Sequence, residues 1–109
     1  MSEGNLQTNV MNYCKRRGAV VYNIHGNEYQ SGVPDLLVGY KGWFISLELK
    51  APNGQLSKLQ RYRLRMTQRA GCIAEEIYSL ERVKEIFACI DAGEEWINGD
   101  YSNPKGGKG

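Results

Sequence analysis

Asp35 and Glu48 are separated by twelve residues, and the chain around them divides into two β-rich runs, 33–40 (VPDLLVGY) and 43–50 (WFISLELK), joined only by Lys41 and Gly42. The runs read as a hairpin, with Gly suited to the second position of a two-residue turn. That turn sets Tyr40 opposite Trp43, and the same register carries Asp35 opposite Glu48. Opposed residues on one face of an antiparallel pair hold their Cβ atoms about 5 Å apart, and like charges placed so are destabilising. Because strand side chains alternate, Ser46 and Lys50 share the face of Glu48 while Leu47 and Leu49 take the other. Two carboxylates and a lysine on strands otherwise made of Leu, Val, Ile and Phe are costly unless they pair or bind a cation. A hard divalent ion fits: Mg²⁺ takes one or two carboxylates, keeps several waters and shares its remaining positions with phosphate oxygens. The competing reading is a solvated face on which Lys50 is a simple ion-pair partner.

The elements that must position these residues follow from periodicity. Leu6, Val10, Tyr13 and Cys14 recur at helical spacing over 5–17, with Gly18 as the stop. Residues 19–24 (AVVYNI) read as a strand and 26–32 as a polar, glycine-flanked loop. After the hairpin, Ala51-Pro52-Asn53-Gly54 breaks the chain. A second helix over 56–70 puts Leu59, Tyr62, Met66 and Ala70 on one apolar stripe. Residues 72–78 (CIAEEIY) fit a fourth strand. Ser79 caps a third helix, to which Leu80, Val83, Phe87 and Ile90 give an apolar face. The expected organisation is one domain over 1–97 and a frayed tail over 98–109, whose residues are turn formers.

Composition sets the outer bounds. A chain of 109 residues that is 41% hydrophobic and 24% charged is a single globular domain. No run approaches the ~18 apolar residues of a membrane span, and the N-terminus lacks an apolar signal-peptide core, so the expected location is the cytoplasm. Cys14, Cys72 and Cys89 are odd in number with no CxxC, which points to buried thiols rather than disulfides or zinc. The net charge of +2 conceals a polarity: residues 1–70 hold ten basic and four acidic residues, residues 71–109 four and eight. Much of the basic excess lies on the second helix, where Lys58, Arg61, Arg65 and Arg69 recur at i, i+3, i+7 and i+11 with no acid between 58 and 70. With Lys15, Arg16 and Arg17 these form a candidate track for a nucleic-acid backbone, the alternative being a merely soluble helix face.

Pro34-Asp35, twelve intervening residues and then Glu48-Leu49-Lys50 resemble the signature of the PD-(D/E)XK nuclease superfamily. Gly32-Val33-Pro34-Asp35, with a glutamine in the following helix, narrows the resemblance to the virus-type replication-repair nuclease (VRR-Nuc) family. It runs from the first helix to about Val83 and implies a restriction-endonuclease-like αβββαβ core, an α/β fold with a mixed four-stranded sheet flanked by helices. By the same resemblance, Asp35 and Glu48 would be metal ligands and the Leu49 carbonyl a third. Lys50 would position and help deprotonate the attacking water or stabilise charge on the scissile phosphate. Glu3, with Gln7 four residues on, matches an acidic residue of the family's first helix, and its competing role is a favourable charge near a helix N-terminus. Gln60 matches the family's helix glutamine, while Ser57-Lys58-Leu59-Gln60 also reads as a capping box.

The function so implied is a Mg²⁺- or Mn²⁺-dependent DNA endonuclease, bacterial or phage-encoded, resolving four-way junctions or other branched DNA as a homodimer. A nuclease of flap or exonuclease type, a non-catalytic nucleic-acid-binding module and a plain dimeric interaction domain are the alternatives. His25 reads as a turn hydrogen-bonder at the end of the first strand. Tyr22, Tyr29 and Tyr40 could stack on bases or fill the core.

Overall fold

The structure, a computed structural model, describes residues 3–24 and 35–102, with side chains from Asn5 onward. The chain runs α1 (Glu3–Arg16), β1 (Val20–Asn23), β2 (Leu36–Tyr40), β3 (Trp43–Leu49), α2 (Lys58–Arg69), β4 (Ile73–Ile77) and α3 (Leu80–Asp91). The strands form one sheet in the order β1-β2-β3-β4, antiparallel except for the parallel pair β3/β4, which α2 connects. This is the αβββαβ order expected, with α3 appended. No helix among the described residues is long and apolar enough to cross a membrane.

Two faces of the sheet do different work. Leu36, Val38 and Tyr40 of β2, Ile45, Leu47 and Leu49 of β3, and Ile73 and Ile77 of β4 pack against Leu6, Val10 and Cys14 of α1 and Val83, Ile86, Phe87 and Ile90 of α3. Leu6, Val10 and Cys14 are four residues apart, so a single stripe of α1 is buried. The three cysteines are free, and burial pushes the Cys14 thiol up to about 11. On the opposite face, Leu56 and Leu64 cover Ala74 in a much smaller cluster. Here the structure departs from the expected stripe of α2. Leu64 is the buried residue, whereas Leu59, Tyr62 and Met66 lie on the exposed side. The second face carries Glu48 and Ser46, so α2 turns Gln60 and Leu64 toward the sheet rather than its longer apolar stripe.

Helix ends and turns fix the directions. Ser57 and Gln60 form a reciprocal capping box at the start of α2, and Gly71 closes it in a Schellman arrangement, at φ +93 with Cys72 N bonded to Thr67 O. Lys41 and Gly42 both take positive φ, 49 and 85, as a type I′ hairpin turn requires.

The tail does not begin at residue 98. β4 is an edge strand, and residues 96–101 cover its open side. Asn98 donates to Cys72 O and accepts from Ala74 N, so its amide imitates a neighbouring strand. Gln68 Nε2 bonds both Ala74 O and Gly99 O, and Glu76 N donates to the Tyr101 hydroxyl. The anchor is Glu75, fully buried: it accepts from Trp96 Nε1 at 2.8 Å, Gly99 N at 2.8 Å and the Tyr101 hydroxyl at 2.6 Å, with Arg82 Nη2 3.6 Å away. Residues 103–109 lie outside the described residues.

Candidate active site

The hairpin register is the one that the turn dictates. Tyr40 pairs with Trp43 and Leu36 with Leu47, so one step further along, Asp35 comes opposite Glu48. The backbone of Asp35 is held by β1, through Ile24 N to Asp35 O at 3.0 Å. Its carboxylate reaches across the hairpin, accepting from Leu49 N at 2.9 Å. Glu48 lies on the α2 side of the sheet and is 3% exposed.

Burial of Glu48 is offset by two side-chain donors, one from α2 and one two residues along its own run. Gln60 Nε2 donates to Glu48 Oε1, and Lys50 Nζ stands 3.8 Å from the same oxygen. Lys50 Nζ also donates to Gln60 Oε1 at 3.2 Å, while that Oε1 accepts from Ser57 N at 2.9 Å. The capping box expected from the sequence is present, and the same side chain bridges Lys50 to Glu48. The cap is what makes the bridge rigid, because it fixes the Gln60 rotamer at the point where α2 meets the end of β3.

Two residues that the sequence did not single out, Gly54 and Tyr78, surround the turn that follows Lys50. Gly54 ends a turn closed by its own N–H to Ala51 O, and a Cβ there would stand 3.2 Å from Lys50 Cδ and 3.1 Å from Ala51 O. The Tyr78 hydroxyl lies 3.0 Å from Gly54 O and 2.7 Å from Glu76 Oε2. Burial, and then the Glu76 carboxylate, raise the Tyr78 pKa, so the hydroxyl keeps its proton and can donate.

The structure thus brings Asp35, Glu48, Lys50 and Gln60 to one end of the β2–β3 pair, with Leu49 between them in sequence. The donor set is two carboxylates with a neighbouring backbone carbonyl, all hard oxygens, and this suits a hard divalent ion such as Mg²⁺ or Mn²⁺. Among the described residues no group of three or more His, Cys, Asp or Glu side chains assembles. Glu3 opens α1, but its side chain falls outside the described residues, as do His25 and Tyr29. Gln7 is half-buried, with its amide against Met11 Sδ.

The expected basic track divides in two. Lys58, Arg61 and Arg65 line one cleft beside α2, and Arg69 follows in the last turn of that helix. Arg17 is elsewhere: it pairs with Asp91 and touches the Tyr40 hydroxyl at the turn end of the hairpin. Five residues of strand separate that end from Asp35, about 17 Å, and α1 packs on the opposite face from α2. Arg16, adjacent to Arg17 at the end of α1, shares that location. Tyr40 fills the core, its ring 4.3 Å from that of Phe87, and Tyr22 is exposed.

Compared by sequence, the chain matches no protein-family model and no curated protein. Its fold is nevertheless shared. A solved VRR_NUC domain is similar over 81% of this chain and 97% of that one, at 22% identity and a TM-score of 0.67. Hjc, a Holliday junction resolvase from the archaeal hyperthermophile Archaeoglobus fulgidus, is similar over 70% of this chain and 67% of its own, at 15% identity and a TM-score of 0.56. The likeness is one of fold, and it bears out in three dimensions the architecture that the D…ELK signature implied.

Proposed function

We propose that the chain is a metal-dependent nuclease that hydrolyses DNA phosphodiester bonds, with branched DNA as its substrate class. The observation that carries this reading is the buried Glu48, bridged by Gln60 to Lys50 and set opposite Asp35 at one end of the β2–β3 pair. A buried carboxylate with a lysine beside it on the same face is an expensive arrangement for structure alone. The solved Hjc is titled a resolvase, and that class is carried here to a chain of the same fold.

Asp35 and Glu48, with the Leu49 carbonyl, would hold the ion, and a bound Mg²⁺ or Mn²⁺ would supply charge at the scissile phosphate and a more acidic attacking water. Lys50 brings a cation to the face of the sheet where charge develops on the phosphate. Gln60 fixes the Lys50 ammonium and the Glu48 carboxylate relative to each other, so neither has to reorganise when a strand arrives. A two-fold homodimer would present two such sites to the two strands of a roughly symmetric junction.

The test is a cleavage panel of four-way junction, flap and linear duplex DNA with Mg²⁺, Mn²⁺ or chelator. Wild type should cut with metal and fall silent with chelator, and Glu48→Ala should be inactive while remaining folded. Full activity in Glu48→Ala, or salt-sensitive binding of DNA without cleavage in either ion, would overturn the catalytic reading in favour of a binding module.

A further inference from the structure

The outward face of α2 is apolar as well as basic. Leu59 is 38% exposed, Tyr62 51% and Met66 42%, so a stripe that would ordinarily pack inward is offered to solvent. An exposed apolar stripe of this kind marks a contact surface. Beside it lies an open, shallow cleft of about 500 Å³ lined by Lys58, Leu59, Arg61, Tyr62 and Arg65 of α2 and by Ser102. Three of these six are cations. Asp100, near Arg65, is engaged by the backbone N–H and the hydroxyl of Ser102, at 3.0 and 2.6 Å.

Charge selects the occupant. A second copy of this helix face would set five cations of α2 against five of the same sign, which is repulsive. A polyanion is attracted, and one aromatic ring among three cations matches a strand whose bases are free to leave the stack: rings take bases and cations take phosphates. Position agrees, since Lys58 and Arg61 flank Gln60 on the first turn of α2, so cleft and candidate active site share one rigid element.

We propose that this cleft binds an unpaired nucleotide of the DNA substrate, with Tyr62 stacking on its base and Lys58, Arg61 and Arg65 on the flanking phosphates. The inference rests on the nuclease reading for its substrate and adds to it a preference for DNA with single-stranded or frayed segments. Ser102, from the C-terminal segment, completes the lining.

Fluorescence anisotropy with full-length protein in chelator, on labelled oligothymidylate and on blunt duplex, tests it. Tyr62→Ala should weaken oligothymidylate binding by about 5- to 150-fold, the range that base–aromatic stacking covers, and shift duplex binding by less than about twofold. Tyr62→Phe should bind oligothymidylate like wild type, because stacking needs the ring and not the hydroxyl. Circular dichroism should show both variants folded, Tyr62 being half exposed. The proposal is overturned if Tyr62→Ala leaves oligothymidylate binding unchanged, if it weakens duplex binding equally, or if Tyr62→Phe fails to restore it. Tyr62-dependent binding to anionic vesicles without oligothymidylate binding also overturns it, in favour of a lipid surface. Because binding is read without metal, loss of cleavage with Tyr62-dependent binding intact refutes the nuclease reading alone, and cleavage with Tyr62-independent binding refutes the cleft alone.

Discussion

Two carboxylates are buried in the parallel strand pair β3/β4, and they are satisfied in opposite ways. Glu75 is enclosed by groups that cannot move far: an indole N–H, a phenol, a backbone N–H and, further off, a guanidinium. Glu48 is met by the tips of two longer side chains, Gln60 and Lys50, at the end of the sheet. Burial alone does not distinguish structure from chemistry. The partners do: Glu75 is held by groups that tie the C-terminal segment and α3 to the sheet, whereas Glu48 is held by Gln60 and Lys50, the two side chains that share its end of the β2–β3 pair with Asp35.

Exchanging the roles of the two carboxylates by mutation is the direct way to break this comparison. The largest effect should follow Glu75→Ala, which leaves Arg82, Trp96 and Tyr101 facing an empty site and releases the C-terminal segment: a loss of about 3–5 kcal/mol, read as the shift in urea midpoint. Glu48→Ala should do the reverse, lowering cleavage at least about a hundredfold while the urea midpoint stays close to wild type. A Glu48→Ala protein as unstable as Glu75→Ala would show that both carboxylates are structural.

Gln60→Ala separates the two duties of one residue. Stability should drop by about 1 kcal/mol for the lost capping bond and cleavage by about 10- to 100-fold, the usual cost of removing a partner that orients a ligand. A drop in stability with unchanged cleavage would reduce Gln60 to a cap.

The smallest effect belongs to a third carboxylate, exposed and serving as a control. Lys41 first, then the Tyr40 hydroxyl and Arg17, hold the Asp91 pKa below its ordinary value of 3.8. A pKa lower in the folded state than in the unfolded chain contributes stability above about pH 4 that is lost as pH falls through the folded value. Asp91→Asn should therefore melt slightly below wild type at pH 7 by circular dichroism, and the gap should narrow as pH falls below about 4 and shrink in high salt.

Much of the candidate site was legible in the sequence because it is local. A two-residue turn leaves one register for the hairpin, and alternation then assigns every side chain to a face, so Asp35, Glu48 and Lys50 could be placed without a structure. Ser57 and Gln60 are three residues apart, and a capping box acts over that distance. Glu75 was half legible: two adjacent glutamates in a strand put one on each face, and with both faces covered one must be buried. Its partners at residues 82, 96, 99 and 101 come from a loop and a neighbouring helix, beyond any periodic signal. Tyr78 and Gly54 escaped for the same reason.

What the sequence determined by itself, then, was the order of elements, the hairpin register and the chemistry gathered on one face, all set by turn geometry and periods of two and 3.6. Tertiary packing decided the rest. It turned the apolar stripe of α2 outward, because the face beneath that helix is occupied by Glu48 and Ser46 and leaves room for little beyond Leu64. It carried Arg17 to Asp91, away from the other cations, since α1 and α2 pack on opposite faces of the sheet. And it recruited residues 96–101 to close the edge of β4, since an edge strand exposes polar backbone that a nearby amide and hydroxyl can satisfy.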